Sequence, residues 1–141
     1  MNIQRQSTLL QRGFTFLELV VVLVILGLLA AVSVPLVMRW AEIGRVRTTE
    51  TNLKALAQAM DLYKLEIGSY PKQLQDLVEK PKGPEGAKWT GPQINKIPRD
   101  GWNGEIHYKV TPGGKHAYEL YSDGPSGESG TEEERVDVWK L

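Results

Sequence analysis

Few residues in this chain of 141 can carry chemistry. Cysteine is absent, which removes disulfides, thiolate metal sites and cysteine nucleophiles together. The two histidines, His107 and His116, fall on adjacent candidate strands that could bring them face to face. Two are too few for a multi-histidine metal site, and they read as sheet-surface residues. Neither a G-x-S-x-G elbow nor a phosphate-binding glycine loop is present, so no catalytic constellation forms and the chain does not read as an enzyme. Two stretches hold the polar groups that need explaining. The first is "RGFTFLE", residues 12–18, in which Glu18 leads the uncharged run "LVVVLVILGLLAAVSVPLVM", residues 19–38. A carboxylate at the edge of such a run is costly unless it reaches water or finds a partner. The second is "SDGPSGESGTEEERVD", residues 122–137, rich in oxygen and glycine.

The elements that must position these residues follow from patterning. Lys+Arg and Asp+Glu both number 17, which gives no basic patch for nucleic acid. As a helix rising ~1.5 Å per residue, Phe14–Met38 is long enough to cross a ~30 Å hydrocarbon core. Arg5 and Arg12 precede it, which predicts a cytoplasmic N-terminus and an external C-terminal domain. A cleaved secretory signal fits less well. The apolar run exceeds the ~7–15 residues of such a core, and its small residues, Ala30, Ala31 and Ser33, sit inside it. Pro35 is expected to kink or locally melt the helix.

Beyond Met38 the pattern turns amphipathic. Leu53, Leu56, Met60, Tyr63 and Ile67 share one helical face, which predicts a helix continuing from Phe14 to about Ile67. Gly68 and Pro71 end it. Residues 68–104 read as a loop region holding a short helix, Gln73–Glu79, and Trp89 as a packing anchor. "EIHYKV" and "HAYELYS", joined by "TPGGK", form a β-hairpin, with a last strand at Val136–Trp139. The fold class is therefore α+β: one long helix against a small antiparallel sheet of about three strands. Arg39, Glu42, Arg45, Arg47 and Glu50 read as a mostly solvated face that also offers partners for salt bridges between subunits.

"RGFTFLELVVVLVILGLLAAVSVP" resembles the N-terminus of type IV pilins and type II secretion pseudopilins. The shared pattern is Gly, then Phe-Thr-x-x-Glu, then an apolar helix with a proline. The resemblance implies a leader, 1–13, removed by a membrane-embedded prepilin peptidase between Gly13 and Phe14. It also implies methylation of the new Phe14 amine, a transmembrane and filament-core helix at 14–38 and a periplasmic domain at 39–141. Glu18 would then neutralise the amine of its own chain or of a neighbour and so set filament register, and Pro35 would serve packing. The fold implied is the type IV pilin "lollipop".

The soluble half narrows the resemblance. "DLYKLEIGSYP", "IPRDGWNGEIHYKV" and "YELYSDGPSG" are similar to motifs of the major pseudopilins of type II secretion. That similarity implies self-assembly into a periplasmic pseudopilus, with minor pseudopilins and an inner-membrane assembly platform as partners, to drive protein export across the outer membrane. The alternatives are a subunit of a type IV pilus and a membrane-anchored periplasmic binding module that does not polymerise. Two departures stand out. The pattern Asp-Pro-Trp-Gly is here Asp100-Gly101-Trp102-Asn103-Gly104. The resemblance also implies a calcium loop after Ser122, for which Asp123, Ser126, Glu133 and Glu134 are the candidates, with Asp137 in reserve. Ser126 stands where an acidic ligand is expected, and its neutral oxygen should weaken affinity.

Overall fold

The computed structural model describes residues 13–141. The leader expected at 1–13, with Arg5 and Arg12, lies outside the described residues apart from Gly13. Two compact units are present, one running up to Arg39 and the other Trp40–Leu141. One helix, α1 (Phe16–Ile67, 52 residues), contributes to both.

In the first unit every large apolar side chain from Phe14 to Met38 is exposed. Among the described residues nothing covers this surface, and the stretch is long and apolar enough to cross a membrane. The α-helix continues through Pro35 without local melting in the single chain. A proline withdraws only its own N–H from the ladder, while the other backbone donors of that turn remain. Ser33 adds a bond from its hydroxyl to the Leu29 carbonyl at 2.8 Å, which satisfies the one polar side chain of that turn.

In the second unit the predicted stripe is the core. Leu53, Leu56, Met60, Tyr63 and Ile67 are all buried, and Leu74, Leu77, Ile106, Tyr118 and Leu120 close over them. Each such side chain contributes roughly 1.5–3 kcal/mol on leaving water. The helix ends as its sequence predicts: Gly68 takes a positive φ of 100° and its N–H bonds the Lys64 carbonyl at 2.8 Å.

The sheet is antiparallel in the order β1 (Ile106–Val110), β2 (Tyr118–Ser122), β3 (Val136–Asp137). Ile106 pairs with Ser122, Tyr108 with Leu120, and Ser122 in turn with Val136. β3 is shorter than the strand expected at Val136–Trp139. Asp137 Oδ1 accepts the Trp139 N–H at 2.9 Å and turns Val138–Lys140 into a 3-10 helix. The two histidines do not face each other. His107 lies opposite Tyr121, and His116 stacks on Trp139 at 4.2 Å between ring centroids.

The 68–104 connection is tied down more closely than its composition suggests. The expected helix Gln73–Glu79 is a 3-10 turn at Leu74–Leu77. Asp76 accepts the Lys72 and Gln73 N–H groups at 3.1 and 3.3 Å, which holds the start of the turn. A second 3-10 turn spans Pro84–Ala87. Glu66 on α1 accepts the Thr90 N–H and the Gln93 Nε2 group, and the Thr90 bond draws its carboxyl below the usual range. Trp89 packs against the core, as expected. Burial pushes the Tyr108 and Tyr118 hydroxyls up, Tyr118 to about 12, and Tyr108 donates to the Pro71 carbonyl at 2.7 Å.

Leu53→Ala should cost about 2–5 kcal/mol in denaturant unfolding of the detergent-solubilised chain. Leu62→Ala, on the exposed face of the same helix, should change it by less than about 0.5 kcal/mol.

Candidate functional site

The N-terminal segment is built around Thr15. It is the N-cap of α1, its carbonyl accepting the Leu19 N–H at 3.2 Å. Its hydroxyl oxygen accepts the Glu18 N–H at 3.2 Å, and Glu18 Oε2 reaches back toward the Thr15 N–H at 3.5 Å. This reciprocal arrangement is a capping box, and it sets the carboxylate at the positive end of the helix dipole. Sequence reasoning missed Thr15. The signal was there in the T-x-x-E spacing, overshadowed by the apolar run. Gly13 is exposed, and among the described residues no atom lies within 4 Å of the position a Cβ would take. Packing among the described residues therefore does not demand glycine here.

The soluble unit is organised by Asp100, which is buried at 8% exposure. Its Oδ1 accepts the N–H groups of Trp102 and Gly104 at 2.9 and 2.6 Å, and its Oδ2 accepts the Ser122 hydroxyl at 2.5 Å. The Ser122 oxygen in turn accepts the Gly124 N–H at 3.0 Å. One residue on, the Gly101 N–H donates to the hydroxyl of Thr49, a fully buried residue of α1, at 2.8 Å. Trp102 Nε1 donates to Glu42 at 2.9 Å, and Arg45 stands 3.6 Å from the same carboxylate. Buried polar groups of this kind rigidify only when all are satisfied.

The departure from Asp-Pro-Trp-Gly acquires a reason here. A proline at 101 has no N–H to give Thr49. A Cβ at 101 would also overlap the Arg45 backbone, so glycine lets the loop lie directly on the helix. Asn103 then takes a positive φ of 68°, a conformation asparagine tolerates, with its N–H on the Asp100 carbonyl at 3.1 Å. Sequence reasoning kept Asp100 and Trp102 but missed Thr49, Glu42 and Ser122. Their partners lie 22 to 60 residues away, beyond any local pattern.

The loop from Asp123 to Asp137 does not gather the expected calcium ligands. Among the described residues no three acidic or histidine side chains are arranged to hold a metal ion. Asp123 meets His107 Nε2 at 2.7 Å through Oδ2 and Arg135 Nε at 3.4 Å through Oδ1. Ser126 is exposed, and its carbonyl accepts the Ser129 hydroxyl at 2.9 Å. Glu133 is exposed, Glu134 Oε2 faces the Thr131 N–H at 3.4 Å, and Asp137 is engaged with Trp139. The carbonyls of Gly124, Gly127 and Thr131 accept the N–H groups of Gly127, Gly130 and Glu134. Ca²⁺ needs six to eight oxygens at about 2.3–2.6 Å. As arranged here, with a guanidinium 3.4 Å from Asp123, the side chains do not assemble that set.

A long helix, apolar and then amphipathic, with a small three-stranded antiparallel sheet is the architecture of the type IV pilin-like fold. The crystal structure of the major pseudopilin from the type 2 secretion system of enterohaemorrhagic Escherichia coli superposes with a TM-score of 0.63. It is 28% identical, and the match covers 74% of this chain and 94% of that one. Residues 9–34 match the prokaryotic N-terminal methylation motif, and residues 36–141 match type II secretion system protein G. The type II secretion system core protein G of Pseudomonas aeruginosa is 39% identical over 133 residues, covering 91% of this chain and 93% of the relative. That of Escherichia coli is 40% identical over 136 residues, covering 93% and 92%. The chain belongs to the type II secretion system protein G family, and it is a structural pseudopilin rather than an enzyme.

Thr49→Val removes the hydroxyl that receives Gly101 and should cost about 1–3 kcal/mol, whereas Thr49→Ser should retain most of the stability. Denaturant titration of both variants gives the comparison.

Proposed function

We propose that the chain is made as a precursor, cleaved between Gly13 and Phe14 by a prepilin peptidase and methylated on the new Phe14 amine. It is then held in the bacterial inner membrane by residues 14–38, with the second unit in the periplasm. From there it polymerises, as the major subunit, into the periplasmic pseudopilus. Minor pseudopilins and an inner-membrane assembly platform are its partners in protein export across the outer membrane. The observation that carries this reading is the start of α1. Gly13, with none of the described residues against it, stands just ahead of a capped helix whose apolar side chains as far as Met38 are all exposed. Glycine without packing partners admits a protease to the backbone. An apolar surface with no intramolecular cover suits a membrane first and a helix bundle afterwards.

Glu18 has a role in each state. In the intact chain it belongs to the Thr15 capping box. Cleavage places a positive amine on Phe14, and methylation keeps that amine basic. In a bundle of low dielectric, a carboxylate is tolerated only when paired, so Glu18 is drawn to an amine of its own chain or of its neighbour. That pairing fixes the stagger between subunits.

Intact-mass analysis of membrane-extracted protein should give a chain beginning at methylated Phe14, and recovery of a chain retaining Met1 would refute processing. Replacing Gly13 with a bulky residue should leave the precursor uncut in the inner membrane. Glu18→Ala should still be inserted and cleaved but should form few filaments under overexpression. Normal filament yield would remove the pairing role. In a deletion strain, loss of exoprotein secretion is expected, and loss of twitching alone would instead favour a type IV pilus subunit.

A further inference from the structure

The segment Asp123–Asp137 carries Asp123, Glu128, Glu132, Glu133, Glu134 and Asp137, and its one basic residue is Arg135. It must nonetheless fold back tightly, because Ser122 just ahead of it pairs with Val136 near its end. Gly124, at a positive φ of 79°, lies where a Cβ would overlap the Glu134 carbonyl. Carboxylates concentrated in a closed loop repel one another unless a cation stands among them.

That cation is in the chain. Arg135 Nε lies 3.4 Å from Asp123 Oδ1 and its Nη1 3.9 Å from Glu132 Oε1. The guanidinium sits over the Tyr121 ring, 4.7 Å from its centroid. The His107 ring stacks with Tyr121, at 5.1 Å between centroids and 24° between planes, and His107 Nε2 meets Asp123 Oδ2 at 2.7 Å. Three planar groups, His107 of β1, Tyr121 of β2 and Arg135 just before β3, thus form one layer over the sheet. Asp123 joins two of them, one through each carboxylate oxygen. The Asp123 side chain is only 13% exposed, so this pairing is better shielded than a surface ion pair.

We propose that Arg135 is the built-in cation of this loop. Its guanidinium cross-links Asp123 and Glu132 and makes the folding of the loop independent of any divalent metal. A divalent ion at Asp123 would stand against a fixed positive charge, and both Asp123 oxygens are already engaged. Two features of the site select arginine over lysine: a planar guanidinium over the Tyr121 ring, and a fork wide enough to face two separate carboxylates. The neutral Ser126 follows from the same logic. With the cation supplied by residue 135, an acid at 126 would add repulsion without a ligand's purpose. The cross-link is a property of the folded subunit and does not depend on polymerisation.

The test uses the full chain in detergent, with cleavage in the loop by a glutamate-specific protease and thermal unfolding read in excess EDTA and in millimolar calcium. The wild type should give the same cleavage rate and midpoint in both. Arg135→Met should accelerate loop cleavage about tenfold or more, as local opening becomes easier, equally in EDTA and in calcium. Arg135→Lys should fall between the two. Should Arg135→Met fail to fold, Asp123→Asn, which keeps the side chain's shape, should accelerate cleavage in its place. Calcium protection of the wild-type loop would overturn the proposal, and so would loop cleavage unchanged in Arg135→Met. Filament yield is scored separately, so a failure of assembly is distinguishable from a failure of the cross-link.

Discussion

The soluble unit depends on one buried carboxylate. Asp100 receives two backbone N–H groups of its own turn and the hydroxyl of Ser122 at the end of β2, and its neighbour Gly101 is bound to Thr49 of α1. Helix, loop and sheet therefore meet at one set of hydrogen bonds. The hydrophobic stripe on α1 supplies most of the free energy of burial, but apolar contact is non-directional. What decides where β2 ends relative to the helix, and where the C-terminal loop starts, is the fixed geometry of Asp100. From there the order passes along the chain: Ser122 orients Gly124, and Asp123 between them is placed to meet His107 and Arg135.

The parts of this design that were legible in the sequence are those written with a period. Leu53, Leu56, Met60, Tyr63 and Ile67 repeat at helical spacing, and all are core. Alternation placed the hairpin, and Gly68 marked the end of the helix. The motif around Glu18 was legible through its ordered spacing. The illegible parts are those in which a short polar side chain closes a turn or bonds a distant segment. Asp76 holds the expected short helix to a single 3-10 turn, and Asp137 cuts β3 short. Thr49 looks like one more polar residue of a solvated face, yet it is fully buried because Gly101 comes from 52 residues away to bond it. Arg135 looked incidental beside three consecutive glutamates, and only the fold brings it to Asp123 and Tyr121.

Two turns depart from the motifs that the sequence otherwise resembles. The altered turn at 100–104 keeps the carboxylate and the tryptophan and replaces a proline with a hydrogen-bond donor. The C-terminal loop keeps its glycines and exchanges an acid for a serine, with a guanidinium among the remaining acids. At the first place Gly101 is bonded to Thr49, and at the second the guanidinium of Arg135 stands against Asp123.

The uniform exposure of the 14–38 segment has an energetic consequence of its own. Lipid tails are as apolar as a neighbour's leucines, so moving this segment from bilayer to helix bundle gains almost nothing from the exclusion of water. The balance between the two states is left to a few polar atoms at its start and to contacts made by the soluble unit. In the proposed function, the membrane then acts as a reservoir from which subunits can be drawn and to which they can be returned at little cost.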